Sequence, residues 1–189
     1  MSTTVLITGA NRGRAFVEEY LSHTDTTVIA SVRDPSTETS TALQTIVCSH
    51  GSRLVIVKID SLSPTDPQQA IEILKAQYEI QKLDIVIASA GIANYLGPAL
   101  ETPIDILQNH LVINTIAPLL LFQACWPLLK QSKQPKFVVL TSSISSISAM
   151  ESLPIQATAY GVSKVGVNYI AQKLHFEHPE LVTVLISPG

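Results

Sequence analysis

Charge is what this 189-residue chain has least of. Its 12 Lys and Arg and 15 Asp and Glu make up 14% of the sequence, against about 25% in an average soluble domain. The net charge of −3 and the absence of any Lys/Arg cluster exclude a surface that could follow a row of phosphates, so no nucleic-acid partner and no polybasic membrane contact are expected. Cysteine is scarce too. Cys48 and Cys125 lie too far apart for a disulfide framework or a metal site and read as buried or half-buried thiols in a reducing compartment. The five histidines are scattered, and only His175 and His178 show ligand-like spacing, at a helix end; no metal site is expected. No long apolar run goes uninterrupted. Leu111–Leu129 approaches the 20 or so residues of a membrane span, but Asn114 and Gln123 would be costly in lipid, and Pro118 and Pro127 break it further. A buried or interface helix is the better reading. The N-terminus enters an apolar strand at once, without the basic start and longer apolar stretch of a signal peptide, so a cytoplasmic protein is expected. A hydrophobic fraction of 46% excludes disorder, and the length predicts one domain over residues 1–189.

What is present is alternation. Short β-branched runs at Thr4–Thr8, Thr27–Val32, Leu54–Ile59, Leu83–Ala88, Phe137–Thr141 and Thr183–Ile186 alternate with helical patterns at 14–22, 36–49, 67–80, 101–130 (broken) and 158–177. Most of the strands are apolar throughout, as when helices cover both faces of a parallel sheet. The pattern predicts an α/β fold of the doubly wound, Rossmann type with about six strands.

The first strand runs into Thr8-Gly9-Ala10-Asn11-Arg12-Gly13 and then a helix. Glycines at such a turn let the backbone approach a pyrophosphate, and the helix N-terminus supplies free N–H groups. The second strand ends in Ser31-Val32-Arg33 where NAD-binding folds place an acidic residue for the ribose 2′-OH. Arg33 there favours a 2′-phosphate, hence NADP, and Arg12 could close on the same phosphate. Asp34, before Pro35, reads as a turn residue. Asp60, ending the third strand, either accepts from an adenine amino group or caps the next turn. Ser89-Ala90-Gly91, after the fourth strand, either leaves room for ribose and nicotinamide or packs a helix closely.

Downstream, Thr141-Ser142-Ser143 follows the fifth strand, and Tyr160 and Lys164 stand one helical turn apart. A phenol, with a pKa near 10, is a weak proton donor at neutral pH, and an ammonium beside it stabilises the phenolate. Taken together, T-G-A-N-R-G, S-A-G, Asn114 in N-T-I-A-P, Ser143 and Y-x-x-x-K occur in the order of the short-chain dehydrogenase/reductase family. The chain resembles a compact member over residues 3–189. The stretches V-L-I-T-G-A-N-R-G, A-T-A-Y-G-V-S-K and K-L-H-F-E most resemble fungal NADPH-dependent ketoreductases of the norsolorinic acid kind.

That resemblance implies the reduction of a small-molecule carbonyl compound by NADPH. Tyr160 would donate the proton, Lys164 would hold the nicotinamide ribose and stabilise the phenolate, and Ser143, with Ser142 as the competing choice, would bond the substrate carbonyl. Asn114 would position a water linking Lys164 to solvent. Gly9, Asn11, Arg12, Gly13, Arg33, Asp60, Ser89, Gly91, Asn114, Tyr160, Lys164 and Pro188 would line the dinucleotide site. The helix around Leu119–Trp126 and the Tyr160 helix imply a homodimer or homotetramer interface, the alternative being burial against the sheet.

Three departures from the family pattern bear on activity. After Gly13 the chain reads Arg14-Ala15-Phe16: either Ala15 replaces the third glycine or an Ile-Gly pair is missing, and the face formed by Phe16, Val17, Tyr20 and Leu21 fits the deletion better. Loss of that glycine should loosen the first βαβ unit and weaken pyrophosphate binding, with Arg14 as a substitute phosphate partner. Ser89 stands where the family has Asn. The chain stops at Pro188-Gly189, where the family continues into a substrate-covering segment and a further strand. A catalytically impaired nucleotide-binding module, or a truncated remnant of a reductase, is therefore the alternative reading.

Overall fold

The computed structural model describes residues 2–188. Six strands form where the apolar, β-branched runs lie: β1 (Thr3–Ile7), β2 (Thr26–Val32), β3 (Arg53–Lys58), β4 (Ile85–Ala88), β5 (Lys136–Leu140) and β6 (Val182–Ile186). They make one parallel sheet in the order β3-β2-β1-β4-β5-β6. The register sets Leu6 opposite Ile29 on one side and Val86 on the other. Alternate residues therefore send two apolar sets to opposite faces.

One set, including Leu6, Ile29, Val55, Val86, Phe137 and Val139, packs under three helices, α3 (Asp66–Gln77), α5 (Ala117–Leu129) and α6 (Thr158–Glu177). The other set, including Val5, Ile7, Val28, Ala30 and Ile87, packs under α1 (Arg14–Ser22) and Leu43. Doubly wound architecture and helices on both faces follow as expected.

The differences are local. The helix expected over 36–49 is only α2 (Glu38–Thr41) and a 3₁₀ turn, Ala42–Thr45; Ser, Thr and Asn side chains bond one another here and compete with the helical ladder. The pattern over 101–130 resolves into a 3₁₀ turn (Ala99–Glu101), α4 (Ile104–Leu111), a π-helical turn (Val112–Ile116) and α5. The helical stretch Ile104–Leu129 is long and apolar enough to cross a membrane. Here Leu121, Phe122, Cys125, Leu128 and Leu129 are buried in the core. Of the two thiols, Cys125 is buried, while Cys48 is exposed, contrary to expectation, because it sits in the extended segment after the 3₁₀ turn. His178 packs its ring 4.2 Å from that of Trp126, and no cluster of potential metal ligands occurs among the described residues.

Candidate active site

Strand order reverses between β1 and β4, and in open α/β sheets the crevice outside the carboxyl ends of such strands is where ligands bind. The turn after β1 is built around Thr8. Its hydroxyl accepts from the N–H groups of Ser89 and Ala90, each at 3.1 Å, stitching the ends of β1 and β4 together. Gly9 follows at φ +64°, and a Cβ there would lie 2.9 Å from the Ala90 Cα. Only glycine satisfies both constraints.

Arg12 N–H and Gly13 N–H donate to the Gly9 carbonyl at 3.1 and 3.0 Å, and Gly13 caps α1. Gly13 also supplies the close helix–sheet approach: a Cβ there would meet Ser89 Oγ at 3.3 Å. Ala15 is exposed, so it does not substitute for a glycine. Helix α1 packs on the sheet without a glycine there, with Val17 and Leu21 fully buried. Arg14 does not replace a phosphate-binding group either. It donates to Glu18 at 2.7 Å and to the Ala42 carbonyl at 3.0 Å.

The other nucleotide-side residues spread along the same edge. Asn11 donates to Thr39 and Ser40 at 2.9 and 3.0 Å, tying the turn to α2. Arg33 is exposed at the end of β2. Asp34 is a turn residue, as expected: hydrogen bonds from the hydroxyl and N–H of Ser36 hold its carboxyl below the usual carboxylate range. Asp60 caps the next turn, accepting from Leu62 N–H at 3.0 Å, and it also lines a small cleft with Thr8, Ala88, Ala90 and Ile113. Arg12 differs from expectation. Its Nη2 reaches across the groove to the Gly91 carbonyl, 2.6 Å away, instead of joining Arg33.

The chemical end gathers on α6. Lys164 Nζ donates to the Leu140 carbonyl at 2.7 Å and lies 5.7 Å from the centre of the Tyr160 ring. Burial pushes the Lys164 ammonium down to about 8. Gly91 faces it: a Cβ there would stand 3.6 Å from Lys164 Nζ and 3.1 Å from Asn114 Oδ1. Asn114, on the π-helical turn, is nearly fully buried and its amide is committed. It accepts from Ile92 N–H at 2.8 Å and donates to the Ile92 carbonyl and Ser163 Oγ, both at 2.9 Å. Ser163 Oγ donates to the Tyr160 carbonyl at 2.7 Å. Ser143 opens a 3₁₀ turn (Ser143–Ser145) with its side chain exposed; Ser142 is half-buried and its hydroxyl accepts from Ile144 N–H at 3.4 Å. Pro188 is exposed beyond β6.

Thus Gly91, Asn114, Tyr160 and Lys164 form one cluster, with the serine turn attached through Leu140. Thr8, Ser163 and Asn168 are structural parts of the site not singled out from sequence. For Ser163 and Asn168 a signal existed: polar residues one position before and four after Lys164, on the side of α6 turned toward the sheet.

The short chain dehydrogenase profile matches residues 3–189. The chain belongs to the short-chain dehydrogenase family. It is 42% identical over 191 residues to the norsolorinic acid ketoreductase of Aspergillus parasiticus, covering 99% of this chain and 70% of that protein. To its counterpart from Dothistroma septosporum it is 41% identical over 192 residues, covering 99% and 71%. Among solved structures it is similar to an NADPH-bound carbonyl reductase from chicken fatty liver, with 28% identity and a TM-score of 0.89 over 100% of this chain and 80% of that one. It is also similar to the KRED1-Pglu enzyme, with 26% identity and a TM-score of 0.85 over 100% and 74%. As a short-chain dehydrogenase it is an NAD(P)-dependent oxidoreductase related to ketoreductases.

The residues of this short-chain dehydrogenase fit a dinucleotide. Gly91 leaves side-chain-free space against Lys164 and Asn114. The N–H groups of Arg14 and Ala15, at the start of α1, have no partner among the described residues, which suits a diphosphate. Asp60 offers a carboxylate acceptor at the same edge of the sheet. Only the Arg12 side chain lies across this path, and it is exposed and free to swing away.

Proposed function

We propose that the protein reduces a bulky ketone to a secondary alcohol with NADPH. The observation that carries this reading is the Tyr160–Lys164 pair, with its buried ammonium, facing side-chain-free Gly91 at the mouth of the crevice. NADPH, when bound, supplies the hydride. Gly9, Gly13, Ser89 and Gly91 would leave room for it at the sheet edge, Asp60 would bond the adenine and Arg33 the 2′-phosphate, with Asn11, Arg12 and Pro188 as the remaining residues that would hold it. Tyr160 gives its phenolic proton to the carbonyl oxygen as negative charge develops there. Lys164, its charge held in place by the Leu140 carbonyl, stabilises the phenolate left behind. A serine hydroxyl donates to the same oxygen, from Ser143 in our reading, with Ser142 the competitor. Asn114 cannot offer its amide N–H groups to a relay water, since both are used. Its part is to hold the loop at Ile92 and α6 together so that a water at this turn can replenish the lysine's proton.

NADPH oxidation followed with a panel of aromatic and aliphatic ketones tests the reading. Tyr160→Phe should lower kcat by about 10²- to 10⁴-fold; undiminished turnover by that variant would end the assignment. A second reading, a nucleotide-binding module without turnover, draws on the contact between Arg12 and Gly91. Calorimetric titration combined with the turnover assay separates the two: the second reading predicts NADP binding with no member of the ketone panel reduced.

A further inference from the structure

We propose that Asn168 is a positioning residue that fixes the serine turn against the Tyr160–Lys164 helix, and so sets the distance between carbonyl-facing hydroxyl and proton donor. The inference rests on the ketone-reducing reading of the site. Asn168 stands one helical turn beyond Lys164 and uses both ends of its amide. Its Oδ1 accepts from Thr141 Oγ1 at 2.5 Å, and its Nδ2 donates to Ser145 Oγ at 2.7 Å. Ser145 Oγ in turn donates to the Ser142 carbonyl at 2.5 Å, closing the turn on itself. Lys164 grips the preceding residue, Leu140, through its carbonyl.

Helix α6 therefore holds the end of β5 at two successive levels, and Ser142 and Ser143 lie between the points held by Asn168. Apolar packing of Val167 and Ala171 in the Phe137 and Val139 cluster already joins α6 to β5, but such contacts do not fix the direction in which a hydroxyl points. Hydrogen bonds do. Because Asn168 bonds only Thr141 and Ser145, neither of them among the residues proposed to hold the cofactor, its loss should act on the chemical step and leave cofactor affinity alone.

The test compares wild type, Asn168→Ala, Ser145→Ala and the double variant. Displacement of a reacting group by about 1 Å costs on the order of 10²-fold, so kcat of Asn168→Ala should fall by about 10- to 100-fold, with the NADPH Kd within twofold of wild type. Ser145→Ala should reproduce the loss, and the double variant should be no worse than the poorer single one. An unchanged kcat, additive losses, or an equal loss of NADPH affinity would overturn the assignment. Amide hydrogen exchange supplies a readout independent of turnover: residues 141–146 should exchange at least about tenfold faster in Asn168→Ala, while 166–174 stay as in wild type. If wild type reduces no ketone, the functional reading fails alone. The exchange result then decides whether Asn168 holds the turn, and unchanged protection there refutes it.

Discussion

Replacing Lys164 by Met should separate its chemical part from its structural cost. The side chain is 6% exposed, and burial lowers its pKa from 10.5 to about 8. At pH 7 it is protonated in both folded and unfolded states. The 2.5-unit depression then corresponds to roughly 3 kcal/mol against the folded state. Between the two pKa values the unfolded chain binds the extra proton, so stability rises with pH. By pH 9.5 the folded amine is neutral while the unfolded one is still mostly charged, and the cost has fallen to about 1.4 kcal/mol. Methionine of similar length carries no such dependence.

At pH 7, relief of the charge offsets loss of the hydrogen bond to Leu140, itself worth about 1.5–3 kcal/mol, and Lys164→Met should be about as stable as wild type. From pH 7 to 9.5 wild type should gain about 2 kcal/mol on the variant. With an m-value of about 2 kcal/mol/M in urea, that is a relative midpoint shift of about 1 M. Urea titrations of both proteins at the two pH values measure it directly. Parallel stability profiles would refute the reasoning, because they would mean that the lysine is solvated in the folded state. Loss of ketone reduction in a variant of undiminished stability would place the lysine's contribution in the chemistry.

Gly9→Ala combines a left-handed backbone with a Cβ 2.9 Å from the Ala90 Cα; unfolding by urea should show a loss of about 1–3 kcal/mol. Arg33→Ala should raise the KM for NADPH about tenfold or more and leave that for NADH within twofold, read from initial rates with each cofactor, as expected when one charge-assisted contact of about 1.5–3 kcal/mol is lost. Partial burial raises the Asp84 carboxyl, and hydrogen bonds from Lys82, Ser132 and Thr4 N–H more than reverse this, leaving it below the usual carboxylate range. The stability Asp84 contributes is complete above the unfolded pKa of about 3.9 and is lost as pH falls through the lower folded value. Asp84→Asn should therefore be less stable at pH 7, and the deficit should shrink in acid-unfolding curves below about pH 4.

Periodicity was enough for the sheet. Apolar, β-branched runs locate all six strand centres within about a residue, because the strands of a parallel sheet covered by helices leave little composition to misread. Leu83 and Asp84 fell outside β4 because Asp84 turns its carboxylate to Lys82 and Ser132. Residues 36–49 misled because Thr37, Thr39 and Ser40 bond Asn11 and one another, a long-range choice that no local pattern encodes. The Tyr160, Lys164 and Asn114 cluster was legible through motif order. What escaped were second partners: the destination of Arg12 depends on how the turn after β1 meets Gly91, and Asn168 has meaning only once α6 lies beside the end of β5.

Helix α6 and the π-helical turn meet without slack. A Cβ on Gly166 would press to 2.8 Å on the Thr115 methyl, Thr115 Oγ1 donates to the Ser163 carbonyl at 2.7 Å, and Asn114 bolts Ile92 to the same unit. Tyr160, Lys164 and Asn114 consequently ride as a single block held by these contacts. On the ketone-reducing reading proposed above, accommodation of differently shaped substrates then falls to the rims of the site, among them residues 92–103 and 144–157, where Leu96, Leu100, Ile147, Met150 and Ile155 stand in solvent. On that reading, a change of substrate calls for rewriting the rims while the centre stays as it is.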